Sequence, residues 1–158
     1  MTSMAPAQAQ DPRPLAGEPL ALDLLNTQWL ASGTPVDLLA TPAGTQAWLA
    51  AAGALATPAS ETTKALVHAR QAIRDVVSGQ GGAAALDRLN EVLARGRLRM
   101  SIGPQGKPKQ TLEVHDPAWR PAVMAAANLL ELLAEGPDRI RRCPLLAHPE
   151  RRPRGVYG

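Results

Sequence analysis

Three stretches of the chain repeat apolar residues at the three- and four-residue spacing of an amphipathic helix. In the first, Thr41 and Pro42 are the residue types of an N-cap and a first helical position, and Gly53 is typical of a helix end. Trp48 and Leu49 are the large apolar residues between them. The pattern therefore predicts a short helix that begins at Pro42 and buries Trp48.

The next two stretches are also bounded by capping residues. Thr57 and Pro58 predict the start of a second helix, and Gly79 predicts its end. A third helix is predicted from Ala83 to Ala94, because Gly96 follows it. The apolar stripes at helical spacing are Leu66, Ala69, Ile73, Val76 and Val77 in the second helix and Leu86, Leu89 and Leu93 in the third.

After Gly96 the apolar residues change from helical spacing to alternation. Apolar and polar residues alternate from Leu98 to Ile102 and from Leu112 to Val114, with the turn-rich, basic residues 103–109 between them. We predict a β-hairpin at about residues 97–115. Because an isolated hairpin is marginally stable, we expect its apolar residues to pack against the helices. They are Leu98, Met100, Ile102, Leu112 and Val114.

The longest helix is predicted last. It opens either at Asp116 and Pro117 or at Arg120 and Pro121, and it ends before Gly136. Its expected buried stripe is Val123, Ala126, Ala127, Leu130 and Leu133. The predicted fold class is α+β and mainly α: a helical domain with one β-hairpin inserted before the last long helix.

The N-terminal part of the chain divides at about residue 15. Residues 1–15 are mainly Ala, Gln and Pro with few bulky apolar groups, which predicts a disordered leader. Order is expected from Gly17, although the leucines between Leu20 and Trp29 fit a strand and a helix equally well. We divide the chain into this leader, a domain at 16–142 and a basic tail at 143–158.

Composition limits the class of protein. Aromatic residues make up 3% of the 158 residues and Phe is absent, while Ala and Leu dominate, so the core must be aliphatic and helical. No apolar run approaches the roughly 18 residues that span a bilayer, and the N-terminus has no secretory signal pattern. We therefore expect a cytoplasmic protein without membrane contact.

The net charge of +3 is concentrated near the C-terminus. From Asp138 onward six arginines and two carboxylates give +4, which leaves the rest of the chain at −1. Because duplex affinity comes largely from cations that neutralise phosphates, the near-neutral body gives no reason to expect a nucleic-acid face there. We expect weak, sequence-independent DNA contact from the tail only. Its arginines are Arg139, Arg141, Arg142, Arg151, Arg152 and Arg154.

Cys143 is the only cysteine, which excludes an internal disulfide and a four-cysteine zinc site. Cys143 and His148 have the spacing of two metal ligands. A structural zinc needs four ligands, and nothing after His148 supplies a second pair. We therefore expect no zinc and no other cofactor in this chain.

The polar residues of most interest are Asp23, Asn26 and Thr27. They are typical of turns and caps, because their short side chains bond nearby backbone groups. The alternative interpretation is that they orient a ligand at the base of an apolar pocket. Its tentative lining is Leu22, Leu25 and Trp29, and the sequence leaves both interpretations open.

Catalytic motifs are poorly represented. His68 lies beside the stripe of the second helix, and a surface histidine is the simpler interpretation. His115 and Asp116 could form an acid–base pair, but Asp116 is also placed to cap the last helix, and no nucleophile accompanies them. We predict that the chain is not an enzyme.

Two segments of the chain carry distinctive motifs: Gly17 to Thr27 contains Ala-Leu-Asp-x-x-Asn-Thr, and an Arg-rich stretch runs from Asp138 to Cys143. These segments resemble the ABATE domain, the N-terminal part of bacterial proteins with a C-terminal CGNR zinc finger. Between them, Trp48 with Leu49, the Arg-x-x-Ile-Arg register from Arg70 to Arg74, and Leu89 with Asn90 also fit. The resemblance covers about residues 15 to 143.

The resemblance implies a stress-induced transcription regulator with a sensor or ligand-binding domain. It also implies that Cys143 is the first zinc ligand and that His148 falls near the second. No later Cys and no Cys-Gly-Asn-Arg follows, so we expect residues 143–158 to be a truncated finger remnant without specific DNA recognition. A small-molecule effector is the expected partner.

A second interpretation keeps the same family but removes the ligand. The chain would then be a structural module that dimerises with itself or with a full-length regulator. Excess apolar surface on the last helix would favour this alternative.

Overall fold

The computed structural model describes residues 11–54 and 60–140. Within these ranges the five α-helices are α1 (Leu20–Leu25), α2 (Pro42–Ala51), α3 (Ser60–Ser78), α4 (Gly82–Leu93) and α5 (Arg120–Glu135). Strands β1 (Gln28–Ala31), β2 (Thr34–Asp37), β3 (Gly96–Ile102) and β4 (Pro108–Val114) form two antiparallel hairpins, β1–β2 and β3–β4. The predicted fold class, α+β and mainly α, is confirmed. No helix in the described ranges has both the length and the apolar character needed to cross a bilayer.

Helix α2 begins and ends where the sequence predicts. The Thr41 hydroxyl accepts a hydrogen bond from the Gly44 amide at 3.1 Å, and Pro42 is the first helical residue. Gly53 follows the helix with a φ of +63°, a conformation that glycine adopts without strain. The start predicted for α3 at residues 57 and 58 lies outside the described residues.

The core lies around α3, which packs against the other four helices. Its predicted stripe is confirmed at Leu66, Ala69 and Ile73, which are fully buried, and the stripe continues half-buried through residues 76 and 77. Trp48 from α2 is also 0% exposed. The remaining fully buried large aliphatic residues are Leu24, Val92, Val123 and Leu129.

Two predicted helix faces are rotated by about one residue. Helix α4 buries Leu89 as predicted, but Leu86 is 54% exposed, and the face is completed by Ala85 and Val92. Helix α5 likewise leaves Leu130 46% exposed. Small alanines let helix axes approach closely, so the alanine-rich sides form the contacts. The buried face of α5 is Pro121, Ala122, Val123, Ala125, Ala126 and Leu129.

The last helix opens at the second of its two predicted positions, and the first position opens a separate 3₁₀ helix. The Asp116 carboxylate accepts a hydrogen bond from the Ala118 amide at 3.0 Å and caps a short 3₁₀ helix, Pro117–Trp119. Helix α5 then starts at Arg120, and its end before Gly136 is confirmed. A second 3₁₀ helix, Pro137–Arg139, follows.

Hairpin β1–β2 is missing from the sequence prediction. The segment that fits both periods is a helix up to Leu25 and a strand from Gln28. Ser32 and Gly33 join the strands with φ values of 52° and 84°, as a two-residue turn between right-handed twisted strands requires. The fold therefore contains one hairpin more than predicted.

Hairpin β3–β4 lies at the predicted position, but its apolar face is not packed as predicted. Leu98, Met100 and Ile102 are 64%, 76% and 78% exposed. Leu112 and Val114 are half-buried, because they lie nearer the base of the hairpin. Alternation shows which residues share a strand face, but it does not show whether another element covers that face.

The leader prediction is wrong for its last residues. Residues 11–15 have a defined place, and Arg13 is 7% exposed. Arg13 donates hydrogen bonds to Asp11 and to Asp23, so an ion-pair network anchors this segment, which composition alone does not reveal. Residues 1–10 and the tail at 143–158 lie outside the described residues.

Candidate functional site

Asp23, a predicted ligand-binding residue, is bonded within the protein. Its side chain is 7% exposed, and it accepts hydrogen bonds from Nη1 of Arg13 at 2.8 Å and from the Gly17 amide at 3.1 Å. Arg13 also donates through Nε to both carboxylate oxygens of Asp11 at 2.9 and 3.0 Å. Asp23 therefore fixes the N-terminal segment to α1.

Thr27 belongs to a second buried network, centred on Arg70 of α3. Arg70 is 3% exposed and donates from Nη1 to the Thr27 hydroxyl at 2.8 Å. It also donates from Nη1 and Nη2 to the two carboxylate oxygens of Asp37, each at 2.7 Å. The Thr27 hydroxyl donates to the carbonyl of Leu24 at 2.6 Å. This network ties α1, β2 and α3 together.

The charge of Asp37 is stabilised by its partners. Burial alone would raise the pKa of Asp37, but the hydrogen bonds from Arg70 and Gln28 outweigh it, and the net effect lowers the pKa. The bidentate geometry is the strongest that a guanidinium and a carboxylate can form. Sequence analysis missed this pair, since its members are 33 positions apart.

Asn26 differs from its two polar neighbours. It ends α1, and its backbone amide bonds the carbonyl of Leu22 at 3.0 Å. Its half-buried side-chain amide makes no hydrogen bond to any residue in the described ranges. Leu22, Leu25 and Trp29, the predicted lining, are half-buried as well. Of the three predicted polar groups, Asn26 alone keeps its side-chain polar atoms available to a ligand.

The histidine and aspartate of the enzyme hypothesis lie at the surface. His115 is exposed, and the Asp116 carboxylate caps the 3₁₀ helix. His68 meets the Trp119 ring edge-on, with ring centroids 5.8 Å apart. The guanidinium of Arg95 lies over the same Trp119 ring, with Cζ 3.7 Å from the ring centroid. His68 thus contacts an aromatic ring, as a surface histidine does, and not a catalytic partner.

The predicted metal and nucleic-acid residues lie mostly beyond the part of the chain that the structure describes. Cys143, His148 and the arginines from Arg141 onward are among them. Arg139 is described: its side chain is 75% exposed and lies 3.5 Å from the Glu135 carboxylate. Within residues 11–54 and 60–140, no group of three or more His, Cys, Asp or Glu residues could hold a metal ion.

Hairpin β3–β4 presents two chemically different faces. The apolar face consists of Leu98, Met100 and Ile102 with their cross-strand partners, which are Leu112, Gln110 and Pro108. The cationic face consists of Arg97, Arg99 and Ser101 with their partners Glu113, Thr111 and Lys109. Strict alternation in the sequence could have revealed both faces, but it gave no information on their exposure.

The hairpin joins the body at its base. A Cβ on Gly96 would lie 2.7 Å from Cγ1 of Val123, so only glycine allows β3 to approach α5 this closely. The Arg120 guanidinium donates to the Leu112 carbonyl at 3.0 Å. Beyond this base, residues 97–102 and 108–110 are exposed. The hairpin therefore offers both of its faces to partners.

A family model, ABATE, matches residues 18–136. The chain belongs to the ABATE family. The family is described as "Putative stress-induced transcription regulator". The match includes α1 to α5 and both hairpins, so the hairpin faces lie within the ABATE region of the chain. It ends before Cys143 and gives no information on the finger. No curated protein and no solved structure matches this ABATE chain.

Proposed function

We propose that this chain is a non-catalytic domain of a transcription regulator that self-associates through the apolar face of hairpin β3–β4. The family description supports the link to transcription. The observation that carries self-association is the 64–78% exposure of Leu98, Met100 and Ile102 on one strand. Contiguous apolar surface of this kind marks a contact site in soluble proteins.

A second copy fits this face by symmetry. Met100 lies midway between Leu98 and Ile102, two aliphatic residues of the same size. A two-fold axis near Met100 would therefore place Leu98 of one copy opposite Ile102 of the other, so the face is complementary to itself. The charged residues stay on the opposite strand face and remain hydrated.

The energy available from this contact is compatible with a reversible dimer. Burying a large aliphatic side chain contributes about 1.5–3 kcal/mol, and the three exposed fractions reduce this to roughly 3–6 kcal/mol per copy. Two copies gain about 6–13 kcal/mol against an association cost of about 4–15 kcal/mol. Because the two ranges overlap, we expect a weak dimer that forms at high chain concentration and dissociates on dilution.

Sedimentation of the full chain over a concentration series tests the proposal. Met100→Asp places a charge at the centre of the apolar face and should leave a monomer. Ser101→Asp is the matched control, because it adds the same charge to the neighbouring, opposite-facing position and should leave the dimer intact. A wild-type chain that stays monomeric over the whole concentration series, or equal disruption by both variants, would contradict self-association.

A transcript comparison tests the link to regulation. In cells lacking the gene, transcript levels should change and should be restored by the wild-type chain but not by Met100→Asp. Unchanged transcripts in the deletion strain would contradict a regulatory role.

A small-molecule effector is the second candidate function, and it depends on Asn26. The Asn26 amide is the one predicted polar group without an internal partner in the described ranges, and Leu22, Leu25 and Trp29 would supply apolar contact. Thermal shift against a metabolite panel tests it. A compound that stabilises the wild type but not Asn26→Ala supports a sensor, and the absence of any shift opposes it.

The remaining parts of the proposal concern zinc, DNA contact and location. From Cys143 onward the sequence offers one cysteine and one histidine, a donor set that does not fit a four-ligand zinc site within one chain. Metal analysis of the purified chain should therefore find less than one zinc per chain.

We propose a cytoplasmic protein, with weak DNA contact from the arginines of residues 139–154 and a full-length regulator as another partner.

A further inference from the structure

The near-neutral charge of the body conceals two regions of opposite sign. Residues 95–120, which contain hairpin β3–β4, carry four arginines and two lysines against one glutamate and one aspartate, a net charge of +4. The other described residues carry six cationic and eleven acidic side chains, a net charge of −5. The total charge of the body, which gave no reason to expect a nucleic-acid face, does not describe this distribution.

The cations lie along one face of the hairpin and at its tip. Arg97 and Arg99 point to the cationic face and are 83% and 71% exposed, and Lys109, paired with Ser101, lies farther along the same face. Lys107 extends the row into the exposed turn. Alternate strand residues are about 6.7 Å apart, about twice the 3.4 Å spacing, measured along the helix axis, of the charges on one DNA strand.

Glu113 is the acidic residue on this face. Its carboxylate pairs with Arg97 Nε at 2.9 Å and with Arg99 Nη1 at 3.3 Å. The hydrogen bonds from Arg97 and then Arg99 lower the pKa of Glu113. In the unbound chain Glu113 thus holds both guanidinium groups on the hairpin surface. These pairs are exposed and weak, so a phosphate can replace the carboxylate.

We propose that the cationic face of hairpin β3–β4 binds the phosphates of duplex DNA. The major groove of B-DNA is about 12 Å wide and admits a two-stranded β-ribbon, whereas the major groove of duplex RNA is too narrow. The inference rests on the proposed function in that a transcription regulator must reach DNA. It uses the strand face opposite to the one that self-associates, so both contacts can form together.

The test compares two sets of cations in the full chain by fluorescence anisotropy with a 30-base-pair duplex, about three helical turns. The hairpin variant carries Arg99→Gln, Lys107→Gln and Lys109→Gln. The matched variant removes the same charge from the tail with Arg141→Gln, Arg142→Gln and Arg151→Gln. If the hairpin contacts phosphates, its variant should lose at least about tenfold in affinity, and the salt slope should fall by about 2–3. An unchanged Kd and slope, with binding lost in the tail variant, would overturn the inference.

Glu113→Gln provides a test that a destabilised fold cannot imitate. Removing the carboxylate frees Arg97 and Arg99, so DNA affinity should rise severalfold and the salt slope should become steeper. No increase in a variant that retains the wild-type melting temperature would overturn the assignment to this face. Duplex RNA of the same length bound as tightly as DNA would overturn the assignment to the DNA groove.

Sedimentation of the hairpin variant separates this inference from the proposed function. Its apolar face is unaltered, so it should dimerise like the wild type while losing DNA affinity. If the hairpin variant dimerises and keeps its DNA affinity, only the DNA contact is overturned. If the wild type is monomeric and the hairpin variant still loses DNA affinity, the DNA contact is supported and self-association is rejected.

Discussion

Replacing Arg70 with Met should destabilise the fold strongly, because it removes one side of a buried ion pair. Arg70 is 3% exposed, and its loss leaves Asp37 and the Thr27 hydroxyl without three hydrogen bonds of 2.7–2.8 Å. Removing one partner of a fully buried pair costs about 3–5 kcal/mol. The Asp37 side chain is 30% exposed and can recruit water, so we expect about 2–4 kcal/mol.

A double-mutant cycle measures the interaction itself. Asp37→Asn keeps the shape of the side chain and removes its charge, which should cost about 1–3 kcal/mol. Because the two residues share one interaction, Arg70→Met with Asp37→Asn should lose less than the sum of the single variants, by about 1–2 kcal/mol. Urea unfolding followed by tryptophan fluorescence, to which the fully buried Trp48 contributes, reports these free energies.

Arg74→Met is the matched control for this cycle. Arg74 lies one turn farther along α3, is half-buried and makes no hydrogen bond or ion pair with a residue in the described ranges. Its replacement should cost less than about 1 kcal/mol. The argument is refuted if Arg70→Met costs no more than Arg74→Met, or if the losses of Arg70→Met and Asp37→Asn are additive.

Three further predictions use the same unfolding measurement. Gly44→Ala should cost about 2–3 kcal/mol, because the new Cβ would lie 1.8 Å from the Leu38 carbonyl oxygen, and a loss below about 0.5 kcal/mol would contradict this packing. The folded pKa of Asp37 is lowered, so its stabilisation is present above the unfolded value of about 3.9 and is lost as the pH falls below it. Asp37→Asn should therefore flatten the loss of stability between about pH 5 and 3, and an equally steep loss opposes the assignment. Arg13→Met should lower the urea midpoint and expose residues 11–17 to proteases, because Asp23 loses its buried partner, whereas unchanged cleavage would show that Arg13 does not anchor the segment.

Local chemistry explains what the sequence predicted correctly. Thr41 and Pro42 define the start of α2 because capping involves residues close in sequence. The turn at Ser32 and Gly33 is local as well, and this Ser-Gly pair between short apolar runs could have indicated hairpin β1–β2. The elements of the fold were therefore largely available from neighbouring residues.

The candidate sites depend on contacts that no local pattern specifies. Arg70 continues the buried stripe of α3 beside Leu66 and Ile73, an unusual position for a cation that indicates a distant buried partner. The identity of that partner, Asp37, required the fold. The exposure of Met100 likewise depends on where the helices end in space, and alternation within β3 carries no such information.

The close approach of Gly96 to Val123 also sets a rule for chain length. It fixes which residues of β3 lie on the apolar face and which lie on the cationic face. If one residue were inserted or deleted between Gly96 and the turn, the aliphatic side chains would lie on the cationic face and the arginines on the apolar face. Single substitutions beyond Gly96 should thus alter only the face on which they lie, whereas a one-residue change in length would exchange the two faces at once.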